Sequence, residues 1–247
     1  MYLTAEQFDT HMPDASLLLS DEPEMESSLH YAQLMLLVSC LEWLWRDRDD
    51  FFIGANLTIY FSRQQLRNRD FRGPDFFLVQ PATRQSRPSW VVWEEEGRYP
   101  NLIIELLSDS TASIDRTLKK NLYQDHFRTP EYFWFSPDTL EFAGFRLIGH
   151  IYQPIAPSPQ GYLWSEELGF NLGIEQGQLR YFTVEGELLP TAAEAAELEM
   201  HRAEAEFQRA EIQAQRAEME AQRAEAEAQR AAALAAKLRD LGIDPEQ

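Results

Sequence analysis

The spacing of apolar residues changes three times along this chain. Over residues 27–46, Leu29, Leu36, Leu37, Leu41 and Leu44 recur at helical spacing, and Ser27 or Ser28 stands where a cap is needed. Residues 51–61 (FFIGANLTIYF) then alternate and are rich in aromatic and β-branched side chains, which predicts a strand. Residues 75–79 (DFFLV) follow Gly73-Pro74 as a short apolar strand. Residues 101–107 (NLIIELL) are almost all apolar, the pattern of a strand buried on both faces. Residues 81–100 between them begin and end with Pro and read as a loop with a short strand or hairpin arm.

Residues 108–127 return to helical spacing, with Asp115 or Ser113 to open the helix and Leu118, Leu122 and Tyr123 on its apolar face. Residues 131–135 (EYFWF) are the next strand. A β-meander is predicted over 139–147 and 150–153, extended by 162–164 and 178–184. From residue 191 to 241 there is no Gly and no Pro, and Arg202, Arg209, Arg216, Arg223 and Arg230 repeat on seven, each followed by Ala. This predicts a long helix, stopped by Gly242 and Pro245. Its apolar stripe is mostly Ala where coiled coils use Leu, Ile or Val, so a weak coil or a solvated single helix is expected. The chain thus divides into an acidic lead-in (1–25), a mixed α/β (α+β) domain (26–188) and a helical tail (189–247).

Composition narrows this picture. The chain has 247 residues, enough for one well-buried domain and an appendage. The single Cys, Cys40, excludes an internal disulfide and a Cys-based zinc site, which favours a reducing compartment. No basic, apolar leader opens the sequence, and the apolar run near Leu34–Leu44 is interrupted by Glu42 and too short to span a bilayer. A cytoplasmic protein without a membrane partner is expected. The formal charge of −19 disfavours unspecific binding to nucleic-acid backbone, so any such contact has to come from a bound cation and local basic groups.

Two acids stand out. Asp75 opens a strand directly after Gly-Pro, a setting in which a turn acid is also common. Glu105 lies in an apolar strand on the same face as Ile103 and Leu107, where a carboxylate needs a counter-ion, a proton or a metal. If their strands pair, both carboxylates reach one hard cation such as Mg²⁺. The chain has only three lysines, Lys119, Lys120 and Lys237. A Lys beside such a metal can orient or deprotonate the attacking water, and Lys119 and Lys120 are the candidates; the plain alternative is a surface pair. Simpler readings suit the rest: His30 structural, Tyr123, Tyr132 and Trp134 core, Asn56 lining a cleft, and Glu94-Glu95-Glu96 a solvated loop end.

GPDFFLV (73–79), IIELLSDST (103–111), DRTLKKNLY (115–123) and PEYFWFSP (130–137), in this order, resemble the successive motifs of the Uma-two family. That family is placed in the PD-(D/E)XK, restriction-endonuclease-like superfamily, and the resemblance covers roughly residues 26–185. It implies a mixed β-sheet flanked by helices, divalent-metal-dependent hydrolysis of DNA phosphodiester bonds, and Mg²⁺ or Mn²⁺ as cofactor. By resemblance, Asp75 is the PD acid and first metal ligand, and Glu105 is the acid of (D/E)XK. Leu107 stands where the superfamily places its Lys; the family takes that Lys from the next helix, where Lys119 fits best and Lys120 is the fallback. Glu26, ahead of the first helix, matches a further acidic metal ligand, against the plain reading of a helix-dipole acid. A second reading keeps the fold but not the chemistry: a binding or scaffold module that meets a protein partner, or a second copy, through residues 191–241. A carbohydrate hydrolase fits less well, because no glycan-binding aromatic layout accompanies the acids.

Overall fold

In the computed structural model, residues 17–22, 25, 27–62, 73–108 and 112–240 are described. Most of the acidic lead-in, the candidate ligand Glu26, and the helix stops Gly242 and Pro245 lie outside the described residues. The chain forms two compact units, residues 1–192 and 193–247.

Helix α1 (Ser28–Leu44) begins where Ser27 takes an extended backbone and its hydroxyl accepts from the His30 amide. Its buried stripe is Leu34, Leu37, Cys40 and Leu41, whereas Leu29 is solvent-exposed. Gln33, buried in the same stripe, exchanges two hydrogen bonds with the backbone of Leu179 (2.9 and 3.0 Å), which fixes the helix to the last strand of the domain.

Eleven strands follow within the described residues: β1 (Phe52–Ala55), β2 (Ile59–Tyr60), β3 (Phe76–Val79), β4 (Trp90–Val91), β5 (Leu102–Leu106), β6 (Glu131–Phe135), β7 (Phe142–Ile148), β8 (Ile151–Pro154), β9 (Leu163–Ser165), β10 (Phe170–Glu175) and β11 (Gln178–Phe182). Six build one sheet in the order β1-β3-β5-β6-β7-β8. Within it β5 and β6 are parallel and the remaining neighbours antiparallel. A three-stranded sheet, β11-β10-β9, and a parallel pair, β2-β4, complete the domain.

Several expectations are corrected. Residues 51–61 are two strands, because Asn56 turns into the left-handed region (φ +45) and ends β1. Asn56 donates its amide to Asp75 O (2.7 Å), so it belongs to the turn beside the site. Strand β10 was not expected at all; Gly173 and Asn171 dilute its alternation.

A parallel neighbour cannot be reached by a hairpin, so the chain between β5 and β6 crosses over as a helix. This segment, α2 (112–127), alternates α-helical Ala112–Ile114 and Lys120–Leu122 with π-helical Asp115–Lys119 and Tyr123–Phe127. Asp115 lies inside it and does not cap it, and Leu118 is 69% exposed, outside the apolar face assigned from spacing.

The large sheet separates two cores. On one face Phe76, Leu78, Ile104, Leu106 and Phe133 meet α1 and the three-stranded sheet. On the other, Phe77, Val79, Ile103, Leu107, Tyr132 and Trp134 meet Tyr123 and Phe127 of α2. Every residue of β5 is buried, as its unbroken apolar run requires. Glu105, fully buried, is therefore the one charge of that strand and faces the second core.

Helix α3 (Ala192–Asp240), 49 residues with no buried side chain, makes up the described part of the second unit. At 1.5 Å per residue it spans about 73 Å. Among the described residues no helix is long and apolar enough to cross a membrane.

Candidate active site

The antiparallel register of β3 and β5 pairs Phe76 with Ile104, so Asp75, one residue earlier, comes beside Glu105. The two are locked at the backbone. Leu106 N donates to Asp75 Oδ2 (2.8 Å), and Asp75 N donates to Glu105 Oε2 (3.3 Å). The sequence expectation that these carboxylates converge is met in this geometry.

Among the described residues, helix α2 supplies the side chains that bond Glu105. Lys119 Nζ stands 3.0 Å from Glu105 Oε2 and 3.0 Å from Asp115 Oδ1. The Tyr123 hydroxyl donates to Glu105 Oε1 at 2.6 Å. The Tyr132 hydroxyl on β6 donates to Asp115 O (3.0 Å) and anchors the start of the helix. Asp115, Lys119, Tyr123 and Phe127 recur every fourth residue. In an α-helix that step drifts about 40° each time. Wider π-turns rotate less per residue, so alternating the two keeps the column in line over the carboxylates.

Burial pushes the Asp75 carboxyl up, against the pull of Lys119 and the Leu106 amide. Burial pushes Glu105 well up, again opposed by Lys119. Burial alone would lower Lys119, but Glu105, Asp115 and Asp75 together outweigh it and hold the ammonium above its ordinary value. Tyr123 is driven well up by burial and by the neighbouring Glu105, so it remains a donor. Paired with two carboxylates, Lys119 is held toward its protonated form.

Lys120 is not in the cluster. Its Nζ lies over Phe145 (3.3 Å to the centroid) and beside Trp134 (5.4 Å). His30 is structural as expected: its ring bonds Ser27 Oγ (2.8 Å) and Leu107 O (3.1 Å). Leu107 itself is buried in the second core. Glu95 is no solvated loop end, since it forms a shielded ion pair with Arg87. Asp115 and Tyr123 were missed as site groups, although their spacing of four on either side of Lys119 was visible in the sequence.

Three buried or half-buried carboxylates face one ammonium, which leaves an excess of negative charge, and the donors are hard oxygens. Among the described residues no group of three or more His, Cys, Asp or Glu is arranged to hold an ion. The hard-oxygen donors brought together by the β3–β5 register are the two carboxylates of Asp75 and Glu105. Mg²⁺ suits such a pair, because it keeps several waters and takes the rest of its shell from substrate oxygens.

The mixed sheet brings the acids of two neighbouring strands together, faced by a Lys from the crossover helix. The chain belongs to the Uma2 family, described as "Putative restriction endonuclease", whose model matches residues 18–185. A solved structure of a "putative nuclease belonging to DUF820" from Anabaena variabilis is similar at 15% identity, covering 68% of this chain and 91% of that one, with a TM-score of 0.44. No curated protein matches the chain.

Proposed function

We propose that this protein is a divalent-metal-dependent endonuclease that hydrolyses phosphodiester bonds of DNA through Asp75, Glu105 and Lys119. The observation that carries this reading is the contact of Lys119 Nζ with Glu105 Oε2 beside the Asp75 carboxylate. It gathers the three residue types of the superfamily signature in one place, although Leu107 occupies the usual Lys position.

A Mg²⁺ or Mn²⁺ ion held by Asp75 and Glu105 would supply Lewis acidity toward a phosphoryl oxygen. The Leu106 amide and the Tyr123 hydroxyl orient the two carboxylates. Lys119, kept protonated by its acidic neighbours, places a fixed charge where negative charge develops on the phosphoryl group. Asp115 holds the Lys119 side chain from the opposite side.

The test is calorimetry with MgCl₂ and MnCl₂, followed by cleavage of plasmid and branched DNA by wild type, Asp75→Ala and Glu105→Ala. Ion binding that both variants lose, together with metal-dependent cleavage that both lose, is expected. A wild-type chain that binds no divalent ion refutes the reading.

One observation favours a second reading, a nuclease fold used as a binding module. Lys119 already pairs with both Glu105 and Asp115, so these two acids have a counter-ion in the absence of metal. Ion binding without cleavage of any DNA would support it.

A further inference from the structure

The crossover helix carries two adjacent lysines, and the carboxylates use only the first. Lys120 is held by aromatic rings alone, with its ammonium 3.3 Å from the Phe145 centroid and 5.4 Å from that of Trp134. Among the described residues no carboxylate pairs with it. Its neighbours are committed elsewhere, Arg116 to Glu141 and Lys119 to Glu105 and Asp115. On a chain with a formal charge of −19, an uncompensated cation beside the site is a feature to explain.

Trp134 is the register partner of Glu105 across the parallel β5–β6 pair. Their side chains therefore leave the same face of the sheet, one strand apart. Trp134 is 8% exposed, and its indole Nε1 is buried without a hydrogen-bond partner. An indole N–H can only donate, and a buried unpaired donor is costly to the fold. Among the described residues, neither this half-buried ammonium nor the N–H of the indole ring beside it has an acceptor. Both are the donors an anion requires, and a contact between Lys120 and the rings leaves the N–H unexplained.

We propose that Lys120 and Trp134 form a phosphate-binding subsite for the nucleic-acid strand, next to the phosphodiester that Asp75 and Glu105 act on. Trp134 lies on β6 and the Lys120 ammonium over β7, one and two strands from β5, so the subsite is offset along the sheet from the carboxylates by roughly 5–10 Å. The subsite fixes the register of the strand over the carboxylates, and it reads backbone, not base. This assignment rests on the nuclease reading above.

The experiment measures anisotropy of a labelled duplex DNA oligonucleotide, with Ca²⁺ present, over a salt series. Wild type is compared with Lys120→Met, Trp134→Phe and the control Arg116→Met, which removes the same charge from a cation already paired. Lys120→Met should lower the slope of log affinity against log salt by about 0.9, the share of one phosphate contact. Trp134→Phe keeps a ring and loses the donor, so it should weaken binding by about three- to tenfold with the slope unchanged. Arg116→Met should shift the slope by less than half as much as Lys120→Met. Wild-type-like binding by Lys120→Met, or an equal slope change in Arg116→Met, overturns the subsite while leaving the nuclease reading in place. A wild type that binds no DNA overturns both. Lys120 is half-exposed, so its variant keeps the test decisive even if Trp134→Phe misfolds.

Discussion

The Tyr123 hydroxyl donates a 2.6 Å hydrogen bond to Glu105 Oε1, in a place where neither residue meets solvent. Glu105 has two oxygens, and the Lys119 ammonium meets the other. Together they hold the carboxylate in one orientation toward Asp75. Tyr123→Phe keeps the ring against Phe127 and Tyr132 and removes only this bond. It should cost about 1–3 kcal/mol of stability, read from urea unfolding. It should also weaken divalent-ion affinity by about 10–100-fold, because the bond orients a ligand. Unchanged ion affinity would remove Tyr123 from the site.

Lys119 and a divalent cation compete for the same oxygens. Lys119→Met leaves Glu105 and Asp115 buried without their ammonium, at a cost of about 3–5 kcal/mol in the metal-free chain. The same variant should bind Mg²⁺ more tightly than wild type, yet cleave no DNA. Thermal unfolding with and without MgCl₂, calorimetry and a cleavage assay check the three parts. A parallel fall of ion affinity and cleavage would contradict the competition.

The raised Asp75 and Glu105 carboxyls give the ion site a pH dependence of definite sign. For an acid whose folded pKa exceeds its unfolded value, the stabilising contribution is full below the unfolded value. It is withdrawn as pH climbs through the folded value. These two groups therefore cost the metal-free fold stability at neutral pH, and a bound cation offsets that cost. The rise in melting temperature on adding MgCl₂ should grow with pH and should vanish on acidification while ordinary surface carboxylates are still ionised. Melting curves from pH 4 to 8 test this; a metal effect that persists to pH 4 would argue against the buried pair as the seat.

In α3, Ala203, Ala210, Ala217, Ala224 and Ala231 form a seam with Glu columns on both sides. Glu204, Glu211, Glu218 and Glu225 run along one edge and Glu199, Glu206, Glu220 and Glu227 along the other. Two copies joined through that seam set Glu against Glu in either orientation, so association through the tail should be weak at low salt. Screening relieves the repulsion, and the sedimentation-derived mass should rise with salt and with protein concentration. A chain truncated after residue 190 should show neither trend. A stable dimer at low salt would require another partner face.

The acids were legible in the sequence because each sat in a setting that demanded a reason, Asp75 after Gly-Pro and Glu105 alone in an apolar strand. Their pairing was legible too, as a condition on neighbouring strands that the β3–β5 register meets. Lys119 and Lys120 could not be separated from spacing alone. What separates them is the direction of one helix turn, toward β5 for the first and over Phe145 on β7 for the second. Asp115 read as a helix opener because Asp is common there, yet it is buried beneath Lys119. Leu118 read as core because α-helical periodicity was assumed where the turns are wider. Residues 51–61 read as one strand because a left-handed Asn leaves no mark in a hydrophobicity pattern.

The parallel pairing of β5 and β6 obliges the chain to travel back along the sheet before it can add the next strand. That return journey is the stretch that carries Asp115, Lys119, Tyr123 and the second lysine. The positive charge absent from the acid's own strand has thus been moved to a connection the topology needed anyway. One segment then does two jobs, so the site cannot be loosened without loosening the centre of the sheet. A residue inserted between Asp115 and Tyr123 would throw the ammonium off its carboxylates while every strand still had its sequence.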